Sequence, residues 1–271
     1  MKGWPPGTPW IWPPSDTPWV WPPSKPSIGD PGLPPLPVSA VEYWHGERGA
    51  SAANAIGQIA GTAIPGVNSP TVVSDAPHFN GRPVYFTLAA GAGSKYWAQP
   101  VLPTPLLSVG NRLYMCAIFR TRNVIAASSL YTAVSVRGGN HSPVGELIAL
   151  TYDTNKYGFQ RFRSGAANNV LSLMIQDTGV HFFECYVDAT AGMVLFIDGV
   201  QYGGNAETAG LVSQIDALSI GVILTGAGIG VVDTSRTTNT SLAFWIICSA
   251  LPAAGERAAL RAWGQAYWGS P

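Results

Sequence analysis

The chain has 271 residues, of which 11% are charged, against about a quarter in an average soluble protein, and 15 Lys+Arg balance 15 Asp+Glu to a formal charge of zero. That balance excludes a binder that works by neutralising nucleic-acid phosphates. With 31 Gly and 23 Pro scattered among short apolar runs, the composition predicts an all-β chain and excludes helical bundles and wound α/β folds.

Residues 1–38 form the first element, and it is a different material from the rest. The first 37 residues hold 13 of the 23 prolines and five of the ten tryptophans, with Trp-Pro-Pro recurring at Trp4, Trp12 and Trp21. Proline at this density removes ladder donors and favours polyproline II, so an extended arm is expected. Trp4, Trp10, Trp12, Trp19 and Trp21 are its candidate anchors. Indole rings left in water forfeit burial free energy, and stiff polyproline loses little entropy on docking. The arm is therefore expected to dock into other chains, the alternative being that it folds back on its own domain. Met1 and Lys2 are followed by Gly3, Trp4 and Pro5 rather than by a secretory apolar run, so synthesis in a cytoplasm is expected.

Residues 39–271 read as short β runs separated by Gly, Asn, Asp and Pro, at the spacing of a sandwich. Strands are predicted at 84–88, 113–120, 130–137, 146–152, 157–163, 170–175, 180–188, 193–197, 200–202, 217–223 and 242–248. Asp198-Gly199 between two apolar runs predicts a type I′ hairpin. The run from Leu242 to Cys248 shows no alternation, the mark of a strand covered on both faces. A closing helix is predicted over 252–268, with Pro252 in its first turn, Glu256 near its positive end, a core stripe of Leu260, Trp263 and Tyr267, and Gly269 past its end. Residues 217–232 are uncharged but studded with Gly and too short for a bilayer helix, so no membrane span is expected.

Chemistry-bearing patterns are sparse. Cys116, Cys185 and Cys248 lie in apolar runs and read as buried free thiols. His45, His78, His141 and His181 show no zinc spacing, so no metal ligand is assigned. Residues 226–230, Gly-Ala-Gly-Ile-Gly, lack the helix that a dinucleotide loop opens. Glu184 and Asp188 are the nearest carboxylate pair along a strand, but four residues at 3.3 Å separate them by about 13 Å, beyond glycosidase reach. No catalytic residue and no cofactor is assigned. Calcium is compatible with carboxylates and carbonyls, yet no Asp/Asn cluster specifies it. Two strand faces combine aromatic, Arg and carboxylate side chains in the manner of a sugar-binding surface. Tyr157 and Arg161 share one, Glu184 and Tyr186 the other, and together they form the candidate glycan-binding face; cross-strand pairing on a solvated sheet is the alternative.

Three stretches carry a family resemblance. His78-Phe79-Asn80-Gly81-Arg82-Pro83-Val84-Tyr85-Phe86 resembles an "nG.pa..F" strand, Val194 to Gly199 an "l.vDG" hairpin, and Leu242 through Gly269 a closing strand and helix ending in "yG". Together, over roughly residues 40–269, they resemble the concanavalin A-like jelly roll in its laminin-G-like form, carried by bacteriophage particle proteins and bacterial adhesins. The resemblance implies an all-β two-sheet sandwich with a C-terminal helix, used for recognition of glycans or proteins more than for catalysis. With the arm, it implies a non-enzymatic virion component: a decoration, head-fibre or tail-associated subunit, present as a homo-oligomer or in a multi-copy assembly and located on the virion. Its partners are then other capsid or tail proteins. A glycan-binding adhesin for host polysaccharide is the alternative, and a polysaccharide-degrading enzyme a third reading.

Overall fold

The computed structural model describes residues 34–46, 71–75, 77–88, 96–99, 102, 104–122, 131–138, 146–153, 156–163, 169–175, 177–224, 232–233 and 239–271. The five arm tryptophans, His141 and the 226–230 loop lie outside them. In chain order the strands are β1 (Ala40–His45), β2 (Thr71–Ser74), β3 (Pro83–Phe86), β4 (Trp97–Gln99), β5 (Tyr114–Thr121), β6 (Tyr131–Gly138), β7 (Glu146–Asp153) and β8 (Lys156–Arg163). There follow β9 (Asn169–Ile175), β10 (His181–Asp188), β11 (Gly192–Ile197), β12 (Val200–Asn205), β13 (Ile215–Ile220), β14 (Ile223–Leu224), β15 (Val232–Asp233) and β16 (Thr240–Cys248), and the chain closes on helix α1 (Ala254–Trp268).

Two antiparallel sheets face each other. The first runs β12-β11-β10-β5-β16-β3-β2, with β1 beside β3 on the same edge of β16; the second runs β4-β13-β6-β7-β8-β9. The chain crosses between them after β9 and again after β12, and β16 returns to the middle of the first sheet beside β1. This is a two-sheet jelly-roll sandwich with a C-terminal helix. Each strand predicted from sequence has a counterpart; β1, β2, β4 and β15 were not predicted, and the 217–223 run divides into β13 and β14.

Alternation explains the layers. Met115, Ala117 and Phe119 of β5 and Phe183, Cys185 and Val187 of β10 point between the sheets, where they meet Val134, Val136, Tyr157, Phe159, Leu218 and Ile220. The opposite faces of the same strands, with Tyr114, Cys116, Ile118, Phe182 and Tyr186, pack under Leu260, Trp263, Tyr267 and Trp268 of α1. β16 feeds both layers and is buried along its whole length. Its register slips between Leu242 and Phe244, which puts Ala243 and Phe244 together on the helix side and returns Trp245 to the inter-sheet side. There Trp245 stacks on Trp44 of β1 at 4.6 Å between centroids.

Helix α1 begins two residues later than predicted. Ala253 is its N-cap, and Pro252 stands one position before it, outside the helix. The reason is the reach of Glu256: as the third helical residue it accepts the Ala253 N–H at 2.8 Å and the Val38 N–H at 3.0 Å, tying the chain at residue 38 to the start of the helix. Gly269 ends the helix in the left-handed region, φ 68°. Beyond it the His78–Arg82 segment serves as a second cap, since Asn80 Nδ2 and Arg82 Nε both donate to the Tyr267 carbonyl, at 3.1 and 3.0 Å. Phe79 and Asn80 both hold positive φ, 54° and 53°, to make this approach. For Phe79 that is a strained conformation, offset by burial against Trp268.

Candidate functional site

The four residues nominated as a glycan-binding face are not on one surface. Glu184 and Tyr186 do point away from the inter-sheet core, as the alternation of β10 requires, but α1 lies over them. The Glu184 side chain is 0% exposed. Its carboxylate accepts hydrogen bonds from the Tyr114 hydroxyl at 3.1 Å and from Arg261 of the helix, while Arg257 Nη1 stands at 3.9 Å. Burial, with the thiol of Cys116 and the charge of Glu184, pushes the Tyr114 phenol well up, so it stays a donor. Tyr186 is pressed between Tyr114 and Phe196, with Arg257 over its ring. The open polar groove expected on this face is therefore a helix seat: Glu184 is the buried acceptor that fixes the helix by its two arginines.

Tyr157 and Arg161 lie on the other sheet and face inward. Tyr157 donates to the Asp177 carbonyl at 2.9 Å and meets Phe119, Phe183 and His181 edge-on. Arg161, 1% exposed, extends its guanidinium to the end of the sandwich, where Nη1 donates to the Ala209 carbonyl at 2.6 Å and Nη2 to the Gly210 carbonyl at 2.8 Å, with Glu207 3.6 Å away. Neither side chain is open to a ligand. The planar fork of Arg161 instead clamps a loop, a task suited to its five fixed donors.

That loop belongs to a contiguous rim. Segments 104–113, 188–192 and 205–214 approach so closely that a Cβ on Gly192 would stand 1.7 Å from the Asn205 carbonyl oxygen, and one on Gly210 2.6 Å from the Gly110 oxygen. The Gly110 and Leu211 amides bridge the same strips of backbone. Asp188 accepts the Thr190 and Ala191 amides at 2.7 and 2.8 Å, and these bonds hold its carboxyl below the usual range. Asn111, Asn205 and Glu207 cap backbone amides in the same way. Between them Val109 and Val212 are 65% and 47% exposed. Side-chain oxygens fixed by these bonds keep further lone pairs, and beside exposed apolar carbons they suit a hydroxylated ligand that donates hydrogen bonds and stacks its C–H face. The rim is the candidate binding surface, and sequence reading missed it because its residues come from three separated loops.

The described histidines also find places. His45 sits among Trp263, Tyr267 and Trp268. His78 Nε2 lies 2.8 Å from Arg120 Nη1, beside Asp75. His181 has a carboxylate on each ring nitrogen: Asp198 Oδ2 at 2.6 Å from Nδ1 and Asp177 Oδ1 at 2.7 Å from Nε2. The four-residue spacing from Asp177 and the hairpin Asp198 were a legible signal for this arrangement. The three cysteines are free and buried, as expected, and burial raises each thiol, that of Cys248 to about 12. Among the described residues no three His, Cys, Asp or Glu side chains gather in a way that could hold a metal ion, and no described helix is long and apolar enough to cross a membrane.

No protein-family model and no curated protein matches the sequence. Solved structures do. The chain is similar to the binding domain of botulinum neurotoxin DC in complex with SialylT (TM-score 0.57, 9% identity), covering 83% of this chain and 51% of that one. It is equally similar to domain 4 of AbnA, a GH43 extracellular arabinanase from Geobacillus stearothermophilus, in complex with arabinotriose (TM-score 0.57, 12% identity), over 83% of this chain and 100% of that one. A botulinum neurotoxin type C structure, described as dependent for cell entry on two ganglioside molecules, matches at TM-score 0.57 and 11% identity. The chain spans about half the length of the neurotoxin domains. At these identities the likeness establishes the fold alone: an all-β jelly-roll sandwich.

Proposed function

We propose that this chain is a non-catalytic recognition protein whose sandwich binds an oligosaccharide through the loop rim of residues 104–113, 188–192 and 205–214. The observation that carries the reading is the match, across 83% of the chain, to an arabinanase domain in complex with arabinotriose that is covered end to end. The ordered rim around Arg161 supplies a surface of suitable chemistry.

The Pro/Trp segment extends the reading. A tryptophan-bearing arm in front of a recognition sandwich suits a subunit of a larger particle, and we assign the chain to a bacteriophage virion, as a decoration, head-fibre or tail-associated protein made in the host cytoplasm and anchored by Trp4, Trp10, Trp12, Trp19 and Trp21. Several copies per particle raise the effective concentration of weak sugar sites.

A glycan array with the full-length chain, spanning arabinan oligosaccharides, sialylated glycans and bacterial capsular fragments, tests the first part. Binding of at least one class is expected, and it is weakened by Arg161→Met, which frees the rim loop. No binding at millimolar sugar overturns the reading, and release of reducing ends from any bound polysaccharide overturns its non-catalytic part. For the arm, Trp12→Ala and Trp21→Ala should each weaken particle docking by about 2–4 kcal/mol if the rings are buried anchors. Particles that incorporate a chain lacking residues 1–37 at the normal level overturn that part alone.

A further inference from the structure

His181 opens β10 at the point where the chain passes from the second sheet to the first, following segment 177–180. Its two ring nitrogens are both within hydrogen-bond distance of carboxylate oxygens, 2.6 Å to Asp198 and 2.7 Å to Asp177. An ionised carboxylate only accepts, so two such bonds require N–H on both sides of the ring, which is imidazolium. We propose that His181 is a pH-operated latch: in its charged form it ties the 177–180 crossover to the β11–β12 hairpin, and on losing its proton it lets the Asp177 side go. This goes beyond glycan recognition and does not depend on it.

The two sides are not equivalent. Asp198 is fixed twice over, because its second oxygen accepts the Phe182 N–H at 2.8 Å and its backbone forms the tight turn with Gly199. Asp177 is 55% exposed, and the oxygen that meets the ring also accepts the Gly179 N–H at 2.7 Å. When one ring nitrogen becomes a lone pair, it can no longer face a carboxylate oxygen at this distance. The exposed Asp177 carboxylate yields, and the Gly179 turn loosens with it. The Asp177 carbonyl stays behind, held by Thr121 Oγ1 at 2.7 Å and the Tyr157 hydroxyl at 2.9 Å.

The groups around the ring pull in both directions, and the two carboxylates prevail. Asp177 faces it from the crossover, Asp198 from the hairpin and Tyr157 from β8. Arg120 of β5 reaches the Thr178 carbonyl at 3.1 Å, and Arg261 of α1 lies beside Gly199 while paired to Glu184. Burial works to depress the His181 pKa, but the bonds to Asp198 and Asp177 and their charges outweigh it and raise it above 6.5. Burial raises Tyr157 further, so the phenol stays neutral. A raised folded pKa contributes stability in full below the ordinary histidine value and loses it as pH rises through the folded one. The latch therefore opens on the alkaline side.

Ring-nitrogen NMR of the full chain, with amide exchange followed at Gly179 and Val180 over the same pH range, tests this. The expected result is a His181 ring carrying both protons below its midpoint, a midpoint above 6.5, and a fall in Gly179 protection, relative to the intrinsic rate, through that midpoint. Asp177→Asn should lower the midpoint by about one unit or more and make Gly179 protection insensitive to pH; His181→Gln should give the same flat profile. A midpoint at or below 6.5, or Gly179 protection unchanged through it, overturns the proposal. Should His181→Gln fail to fold, Asp177→Asn, at a largely exposed side chain, carries the test alone.

Discussion

Glu184 illustrates how a residue's face can be read while its role is not. Alternation along β10 sets Phe182, Glu184, Tyr186 and Asp188 on one side, and the structure agrees for the three that pack there. The cover is what spacing along one strand cannot contain, because Arg257 and Arg261 come from a helix more than 70 positions away. The same holds for Arg161, which donates to backbone carbonyls that carry no residue signature at all. The energetics of the buried carboxylate give a test. Arg261→Met removes the hydrogen-bonded cation and leaves the buried Glu184 with the Tyr114 hydroxyl and the more distant Arg257 alone, so urea unfolding should report a loss of about 3 kcal/mol. Arg257→Met, removing a cation at 3.9 Å, should cost less than about 1 kcal/mol. Equal losses from the two would show that Glu184 is satisfied without a defined partner.

Strands, hairpin and helix were largely legible because each has a local cause. Asp198 and Gly199 hold φ 53° and 81°, as the type I′ turn demands, and the unbroken apolar run of β16 is buried on both sides. The elements that escaped had weak patterns: β1 mixes Glu42 and His45 into its run, and both are buried, while β4 has only three residues. The helix start was misplaced because Pro252 offers a first-turn signal that the reach of Glu256 overrides. One glycine inside α1 also had a legible address but no legible reason. A Cβ on Gly264 would stand 2.8 Å from Ile118 Cδ1 and 3.0 Å from Phe182 Cδ2, so this position sets how deeply the helix settles on the first sheet. Gly264→Val should therefore cost about 1–3 kcal/mol by overpacking, read as a lowered denaturation midpoint. At the other end of the helix, Asn80→Ala removes a donor to the Tyr267 carbonyl and places alanine at positive φ, at an expected cost of about 1–2 kcal/mol. A neutral outcome at either site would mean that this contact does not help to seat the helix.

Among the described residues the pH response falls on a few carboxylates, with His181 on the alkaline side. Asp75, although partly desolvated, is held below the ordinary value by the Ser241 hydroxyl, Arg120, Arg122 and His78, and Asp177 by His181 and the Gly179 amide despite its own desolvation. A depressed carboxylate contributes stability that is complete above its unfolded pKa and is lost as pH falls through the folded one. Stability should thus be level from about pH 5 up to the ordinary histidine value, above which the His181 contribution is lost, and should fall as pH drops below the ordinary aspartate value of 3.8. Asp75 is the stronger case, because its side chain is 9% exposed and Arg120 Nε donates to it at 3.0 Å, joining β5 to the segment after β2. Asp75→Asn should then lower stability at pH 7 and flatten the acid limb, bringing the variant closer to the parent chain as both are taken toward pH 3. Chemical denaturation at fixed pH steps measures both effects in one series. If the two chains stay parallel across the acid range, the charge on Asp75 contributes nothing to the fold, and the acid limb belongs to Asp177 and the half-buried Asp188 instead.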